Sequence, residues 1–200
     1  MKKLITLILI SLMCLAFGTN SLAATVYLDV ITNGDVDYLE EEDLSGQIIG
    51  IDYSTKTFKV GLEHLNGSVD VGPFEIDLTQ TELKGGYGIT DNLYVTLSVV
   101  GGDLEDEASY DSLMIGVDLA TNLTKELLLE GSISGSISGS VDYDYYDKLD
   151  ADFLCFKGKL TYFFTNNLGA SLGYRKTKIE DEEDIKIETS GTTIGISYKF

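Results

Sequence analysis

The sequence predicts an all-β protein whose strands form a transmembrane antiparallel up-and-down β-barrel of about 10 strands, with eight as the alternative count. Apolar and polar residues alternate along segments of about ten residues, as in strands that face lipid on one side. Short and longer polar connections follow one another along the chain, and no stretch after Ala24 approaches the length of a transmembrane helix. Strands cross lipid only when every backbone group is paired, so the sheet is expected to close on itself.

The first 23 residues are predicted to be a signal peptide. Residues 1–3 carry two lysines, residues 4–17 are apolar, and residues 21–23 offer the small side chains that signal peptidase reads. The apolar run is shorter than the roughly 20 residues of a transmembrane anchor, and Met13 before Cys14 is too large for a lipoprotein signal. We therefore expect cleavage after Ala23, which leaves residues 24–200 as one barrel domain.

The chain is strongly acidic. It has 33 Asp and Glu residues against 14 Lys and Arg, a formal net charge of −19, and such a chain repels nucleic-acid phosphates. Its 44% hydrophobic residues, 12 Tyr and 8 Phe separate it from disordered acidic segments. We therefore expect a folded protein with no nucleic-acid partner.

The alternation is clearest between residues 129 and 141, where serines occupy one face of a predicted strand. The other face is apolar or small and holds Leu129, Gly131, Ile133, Gly135, Ile137, Gly139 and Val141. The first strand is predicted at residues 25–31 and the last at residues 192–200. Between Leu78 and Leu83 the apolar residues change parity, which predicts a bulge or a longer loop at that point.

The connections predict which rim of the barrel faces which side of the membrane. Short turns are predicted at residues 54–56, 90–92, 121–126 and 165–167, and longer loops at residues 33–45, 66–75, 101–110, 138–150 and 180–190. Short turns are typical of the periplasmic rim and longer loops of the extracellular rim. Six aromatic residues near the short turns are expected to form a girdle at the periplasmic interface: Tyr53, Phe58, Tyr87, Phe164, Tyr198 and Phe200.

The carboxyl-terminal strand resembles a known signal. Ile194, Ile196, Tyr198 and the terminal Phe200 lie on one face of that strand, and this pattern is similar to the insertion signal of Gram-negative outer-membrane β-barrel proteins. Over its mature length the chain resembles the small barrels of the OmpA and OmpX type, although those have eight strands, and no subfamily is assigned. The resemblance implies a bacterial outer-membrane location and recognition by the barrel-assembly machinery. Outer-membrane lipid and lipopolysaccharide are the expected partners, and the protein is expected to be a monomer.

Charged residues on the polar face of the strands are expected to point into the lumen. The acidic ones are Asp29, Asp52, Glu63, Glu82, Asp118 and Glu130, and the basic ones are Lys59, Lys84, Lys157, Lys159, Arg175 and Lys199. Because buried charges persist when they are paired, this set predicts a salt-bridge network that fills a narrow barrel. A narrow pore is the alternative, with the serines of residues 130–140 as its wet wall.

The predicted loops are rich in carboxylates, which are the ligands that Ca²⁺ and Mg²⁺ prefer. The candidates for weak cation binding are Asp35, Asp37, Glu40, Glu41, Glu42, Asp43, Asp142, Asp144 and Asp147. No loop has the spacing of an EF-hand, and solvated loops that repel one another are the alternative interpretation. Apart from such weakly bound Ca²⁺ or Mg²⁺, no cofactor is expected.

Together these patterns predict an integral outer-membrane barrel with a structural or surface-interaction role through acidic extracellular loops, and no catalysis. The alternatives are a narrow porin-like channel for ions or small solutes, a soluble periplasmic β-sandwich and an outer-membrane hydrolase. His64, the only histidine, lies near Glu63 and Ser68, but no second histidine or nucleophile motif accompanies it. Cys155 is the one cysteine left after cleavage and is expected to be a packed thiol.

Overall fold

Ten antiparallel strands, joined in chain order, form one closed sheet in the part of the chain that the structure describes. This computed structural model describes residues 23–37, 41–71, 74–105, 108–143, 148–183 and 185–200. The strands are β1 (Ala23–Asp37), β2 (Glu41–Ser54), β3 (Phe58–Val71), β4 (Phe74–Gly88), β5 (Leu93–Leu104), β6 (Ala108–Asn122), β7 (Leu127–Tyr143), β8 (Leu149–Phe163), β9 (Leu168–Asp181) and β10 (Lys186–Lys199). Each strand pairs with its neighbours in sequence, and β1 pairs with β10. The predicted up-and-down barrel is therefore confirmed with ten strands, and a two-sheet sandwich is excluded.

Within the described ranges, no helix is long and apolar enough to cross a membrane.

The strands are longer than the sequence suggested. They run from 12 residues in β5 to 17 in β7, and most of each predicted long loop belongs to a strand. Four turns, at residues 55–57, 89–92, 123–126 and 164–167, lie at the terminal end of the barrel, which also holds Ala23 and Lys199. The strand ends that flank the five other connections, such as Asp37 and Glu41 or Val71 and Phe74, lie at the opposite, distal end. The predicted loops are thus mainly strand extensions toward the distal end.

The side-chain chemistry of the two faces inverts along the barrel, which explains those extensions. Toward the terminal end, apolar side chains point outward and small polar ones inward, as with Leu97 at 52% exposure beside Ser98 at 3%. Toward the distal end the pattern reverses, since Val69 is 3% exposed and its neighbour Asp70 is exposed. The distal part is therefore built like a soluble barrel, with its apolar side chains inside.

The outward apolar side chains form a continuous belt around the terminal and central part of the barrel. Its exposed members include Leu28, Val30, Ile49, Leu83, Val95, Leu97, Val99, Leu113, Ile115, Val117, Leu119, Ile133, Ile137, Leu154, Phe156, Leu160, Leu172, Tyr174, Ile194 and Ile196. A solvated surface of this size is not a property of soluble monomers, whereas an apolar band about 25 Å tall is typical of membrane barrels.

The predicted bulge between Leu78 and Leu83 is wrong. β4 keeps a continuous register with both β3 and β5 through this stretch. Leu78 points inward and is buried, while Leu83 points outward in the belt. The change of parity marks the level at which the barrel interior turns from polar to apolar, so no extra residue is needed.

Bulges occur instead in β1 and β7. The register of β1 shifts between Ile31 and Asn33. In β7, Ser136 lies opposite Met114 while Ser138 lies opposite Leu113, so one extra residue is accommodated. Val141 consequently points inward and is fully buried, although the sequence pattern placed it on the same face as Leu129.

The aromatic residues predicted as a girdle lie near the terminal end. Phe58, Tyr87, Phe164, Tyr198 and Phe200 are all exposed on the outer surface. Tyr53 and Phe58 pack with ring centroids 5.4 Å apart, and Tyr198 and Phe200 pack edge to face at 4.9 Å. They lie at the terminal edge of the belt, which is the position of an interfacial aromatic girdle in membrane barrels.

Candidate functional site in the barrel lumen

A layer of charged side chains crosses the central lumen, and it is the most distinctive chemical feature of the barrel. The residues come from inward positions of neighbouring and opposite strands, because residues two apart on a strand share a face. The members are Asp29, Asp52, Lys59, Glu63, Glu82, Lys84, Asp118, Glu130, Lys157, Lys159 and Arg175. Six acidic and five basic groups therefore face one another inside an apolar belt.

Lys157 joins opposite walls of this layer. Its Nζ lies 2.7 Å from Oε1 of Glu63 and also contacts the carboxylate of Glu82. Arg175 reaches the same Oε1 of Glu63 at 3.1 Å. β8 and β9 are thereby tied across the lumen to β3 and β4, on the far side of the closed sheet.

The network continues around the wall on the β4 and β6 side. Lys84 lies 3.4 Å from both Glu82 and Asp118, and Lys59 donates to Asp118 at 3.0 Å. Asp118 thus receives two lysines and is itself buried. Glu82 and Asp118 thus each face a cation, which charges removed from bulk water require.

On the opposite side, Tyr27 links the central cluster to a second one. Its hydroxyl donates to Glu63 at 2.9 Å, and Nζ of Lys159 lies 3.8 Å from the centroid of its ring. Lys159 also donates to Asp29 at 2.8 Å, and Ser171 donates to the other oxygen of that carboxylate at 2.9 Å. Tyr27 and Ser171 were missed by the sequence analysis, although both lie on inward positions of their strands.

Gly50 makes room for the Tyr27 ring. A Cβ atom at this position would collide with the ring and hydroxyl of Tyr27. The glycine on β2 therefore leaves room for the Tyr27 side chain, which contacts both Glu63 and Lys159.

Three predicted members of the network have a less direct place in it. Asp52 and Glu130 line a cavity of about 100 Å³ together with Lys59 and Lys159, a volume sufficient for several waters. Lys199 lies at the exposed terminal end of β10, outside the layer. Among the described residues, every fully buried side-chain nitrogen and oxygen has a hydrogen-bond partner.

Two apolar clusters fill the lumen between the charged layer and the distal end. One packs around Met114, Val141 and Phe153 and also holds Val100, Ala108, Tyr143, Ala151, Cys155 and Ile179. The other consists of Ile31, Val36, Leu44, Ile48, Leu65, Val69 and Leu78. A cavity of about 20 Å³, which holds little more than one water, lies between Val36 and Leu78 of one cluster and Ile179 of the other. Ion pairs and packed apolar side chains thus follow one another along the lumen.

The residues considered for hydrolysis are not brought together. His64 points outward and its Nδ1 lies 2.9 Å from Oγ1 of Thr81, whereas Glu63 points into the lumen. Oγ of Ser68 lies 3.4 Å from Oγ of Ser45 on the outer surface. Cys155 is buried in the apolar cluster, with Sγ 3.7 Å from Oγ1 of Thr177.

Glu42, one of the carboxylates considered for cation binding, lies opposite the buried Val36 and shares its inward face, whereas four others lie on the outer face of the distal strands. Asp35, Asp37, Asp43 and Asp142 are exposed there. Within the described ranges, no three Asp, Glu, His or Cys side chains are grouped so that they could hold a metal ion. The side chain of Glu41 and the residues Glu40, Asp144 and Asp147 lie outside the described part of the chain.

A closed antiparallel barrel with an even number of strands, an apolar outer belt and a charged lumen has the architecture of an outer-membrane β-barrel protein. Comparison with solved structures gives the same result. The chain resembles the outer-membrane protease OmpT of Escherichia coli at a TM-score of 0.60, with 12% identity over 91% of this chain and 98% of that one. It also resembles Neisserial surface protein A, NspA, at a TM-score of 0.53, with 10% identity over 90% of this chain and 97% of that one.

These likenesses confirm the predicted class at the level of the fold. No protein-family model matches the sequence. No curated protein sequence matches it either.

Proposed function

We propose that the protein is an integral, non-conducting barrel of the bacterial outer membrane, with a structural or surface-interaction role. In this proposal residues 1–23 direct its export, the terminal end faces the periplasm, and the acidic distal end faces the exterior. The belt, the aromatic residues at its terminal edge and the fold of the OmpT and NspA barrels support this placement.

The observation that carries the non-conducting assignment is the two-layered filling of the lumen. Lys157 and Arg175 tie opposite walls together through Glu63. Beyond this layer Met114 and Val141 are almost fully buried within the apolar cluster. An ion that passed this cluster would lose its hydration shell and gain no polar partners. Contacts with apolar side chains would not offset the free-energy cost of that desolvation.

The outer surface of the distal end supports the surface-interaction role. Asp35 lies directly opposite Asp43, Asp43 opposite Asp70, and Asp70 opposite Glu75, which gives a row of carboxylates across β1 to β4. Like charges directly opposite one another weaken a sheet. This row of charges therefore opposes folding, which supports a role in what the surface meets or repels.

Planar-bilayer recording of the refolded protein tests the proposal. We expect no single-channel steps at high salt, in bilayers where a general porin inserted under the same conditions conducts. Heat-modifiable migration on gels and recovery in the outer-membrane fraction serve as controls for folding and location. Reproducible steps from correctly folded protein would show instead that the barrel is a narrow channel.

The outward orientation of His64 and the inward orientation of Glu63 favour a non-catalytic protein. The name of OmpT records a protease, and at 12% identity that activity is not transferred to this chain. A screen of peptide and lipid ester substrates is expected to give no turnover. Hydrolysis that disappears in the His64→Ala variant would contradict this part of the proposal.

A further inference from the structure

The wall of the barrel is interrupted between β7 and β8. Pairing of the two strands stops at Gly135 and resumes at Ser140. Residues 136–139 of β7 and 151–153 of β8 therefore have no register partner across this seam, and we call them the β7–β8 gap. It is the longest interruption between the described strands, since the register shifts of β1 and of the β6–β7 pair skip only one or two residues of a strand.

A side chain links the two strands where their register is lost. The hydroxyl of Ser136 accepts a hydrogen bond from the backbone N–H of Phe153 at 2.9 Å, and it donates to Asp152 at 3.3 Å. In a regular antiparallel pair such an N–H bonds to a carbonyl of the neighbouring strand. Ser136 thus takes the place of a backbone partner in the gap.

The outer neighbours of β7 and β8 stay in register along the same stretch. On the β6 side, Ser136 lies opposite Met114. The hydroxyl of Ser112 also donates to the carbonyl of Ser138 at 3.1 Å. On the other side, β8 keeps an unbroken register with β9. The weak point of the wall is therefore confined to the seam between β7 and β8.

The gap separates two apolar environments. On the outer surface it is flanked by Ile137 and Leu154, members of the belt that are 57% and 51% exposed. On the inner side the ring of Phe153 lies against Gly139, where a Cβ atom would collide with it. Phe153 belongs to the same buried apolar cluster as Cys155. A charged solute that entered here would lose its hydration on both sides of the wall, whereas an apolar solute would not.

We propose that the β7–β8 gap is a lateral opening of the barrel, that Ser136 holds it closed, and that it admits small apolar molecules to the distal cluster. Opening breaks the hydrogen bond between Ser136 and Phe153 and moves the Phe153 ring away from Gly139. The paired parts of the two strands on either side of the gap remain in place. The inference goes beyond the proposed function, because it concerns a path through the wall and leaves the lumen axis closed to ions.

Amide hydrogen exchange of the full mature protein in detergent, resolved to single residues by NMR, tests the opening. In Ser136→Ala the N–H of Phe153 loses its partner, so its exchange is expected to become about tenfold faster than in wild type. Ser138→Ala is the matched control, because Ser138 lies in the same gap with an exposed side chain, and it is expected to exchange as wild type does. Amides of β5, whose register with β4 and β6 is unbroken, are expected to be unchanged in both variants.

The thiol of Cys155 tests which solutes enter. It is buried and lies opposite Ser134, directly beside the gap. The folded protein is treated with N-ethylmaleimide, which is small and uncharged, and separately with a cationic methanethiosulfonate reagent. Wild type is expected to react slowly with both. Ser136→Ala is expected to react about tenfold faster with the uncharged reagent, in step with the opening, and to gain much less with the cationic one.

Four results would overturn the proposal. Two concern the serine: unchanged exchange of Phe153 in Ser136→Ala, or an equal effect of Ser138→Ala. Faster exchange of the β5 amides in Ser136→Ala would show that this serine stabilises the whole barrel and not one seam. Labelling of Cys155 that stays at the wild-type rate, or rises equally with both reagents, would exclude an apolar route through the gap. Heat-modifiable migration verifies that each variant is folded.

Discussion

Lys157 on β8 and Glu63 on β3 meet 2.7 Å apart in the middle of the lumen, on strands from opposite walls of the barrel. Glu63 also accepts from Arg175 and from the hydroxyl of Tyr27. This one carboxylate therefore holds together four strands that do not all neighbour one another in the sheet. The charged layer therefore braces opposite walls of the barrel, and replacing Lys157 is the most direct test of that role.

Replacing Lys157 by methionine is expected to destabilise the barrel by about 3 kcal/mol, since it leaves the buried Glu63 and Glu82 short of a cation. Urea unfolding in lipid vesicles measures the loss. Lys56→Met removes an ion pair in which both side chains are largely exposed, and no measurable change is expected there. Adding Glu82→Leu to Lys157→Met is expected to recover part of the stability, because the unpaired charge is then removed. If Lys157→Met is as stable as wild type, the layer does not brace the barrel.

The apolar filling of the distal half can be tested with two neighbouring residues. Phe153 is buried and its ring packs against Tyr110 at a centroid distance of 5.9 Å. Phe153→Ala is expected to cost about 3–5 kcal/mol through lost contacts and the cavity left behind. The adjacent Asp152→Ala, on the exposed face, is expected to change stability little. Similar effects in both variants would contradict the inverted arrangement of the distal part.

Cys155 reports on the same region without disturbing it. The thiol is buried in the folded protein, so a bulky maleimide reagent is expected to label it only after denaturation. Mass spectrometry of samples treated before and after unfolding in urea quantifies the label. Rapid labelling of the folded barrel would mean that water and solutes reach the distal lumen, in conflict with a closed barrel.

The row of carboxylates across β1 to β4 predicts a stabilising substitution. Asp43 lies opposite Asp35 on one side and Asp70 on the other, so Asp43→Asn is expected to raise the melting temperature at low salt. The gain is expected to shrink at high salt, because exposed charges are screened. Asp142→Asn is the control, since Asp142 lies opposite Ser109. A melting temperature that does not respond to Asp43→Asn at low salt would show that the row is not strained.

The terminal phenylalanine is predicted to act in assembly. Phe200 packs edge to face on Tyr198, and its backbone N–H donates to Ala24 at 2.9 Å, where the last strand joins the first. Phe200→Ala is expected to lower the folded fraction in the outer membrane severalfold, whereas Lys199→Ala is expected to have little effect. The heat-modifiable fraction on gels measures both. Normal assembly of Phe200→Ala would remove the predicted insertion signal.

The strand count and the orientation of the belt were predictable because they depend on local alternation. Leu154 and Phe156 are exposed on the outer surface, and Cys155 and Lys157 point inward, as their parity predicts. The charged residues of the lumen could also be predicted from the sequence, since each lies on an inward position of a strand. Alternation alone did not reveal which of these charges meet, because Glu63 and Lys157 are 94 residues apart in the chain.

The sequence by itself determined that the chain forms about ten strands and which residues share a face of each strand, because a strand exposes alternate residues to alternate environments. Only the tertiary structure decided where the strands end and what the change of parity at Leu78 means. Alternation shows that the two faces of a strand differ, but it does not show which face points into the barrel. Closure of the sheet settles this, since the same inward position meets charged partners in the centre of the barrel and an apolar core at its distal end.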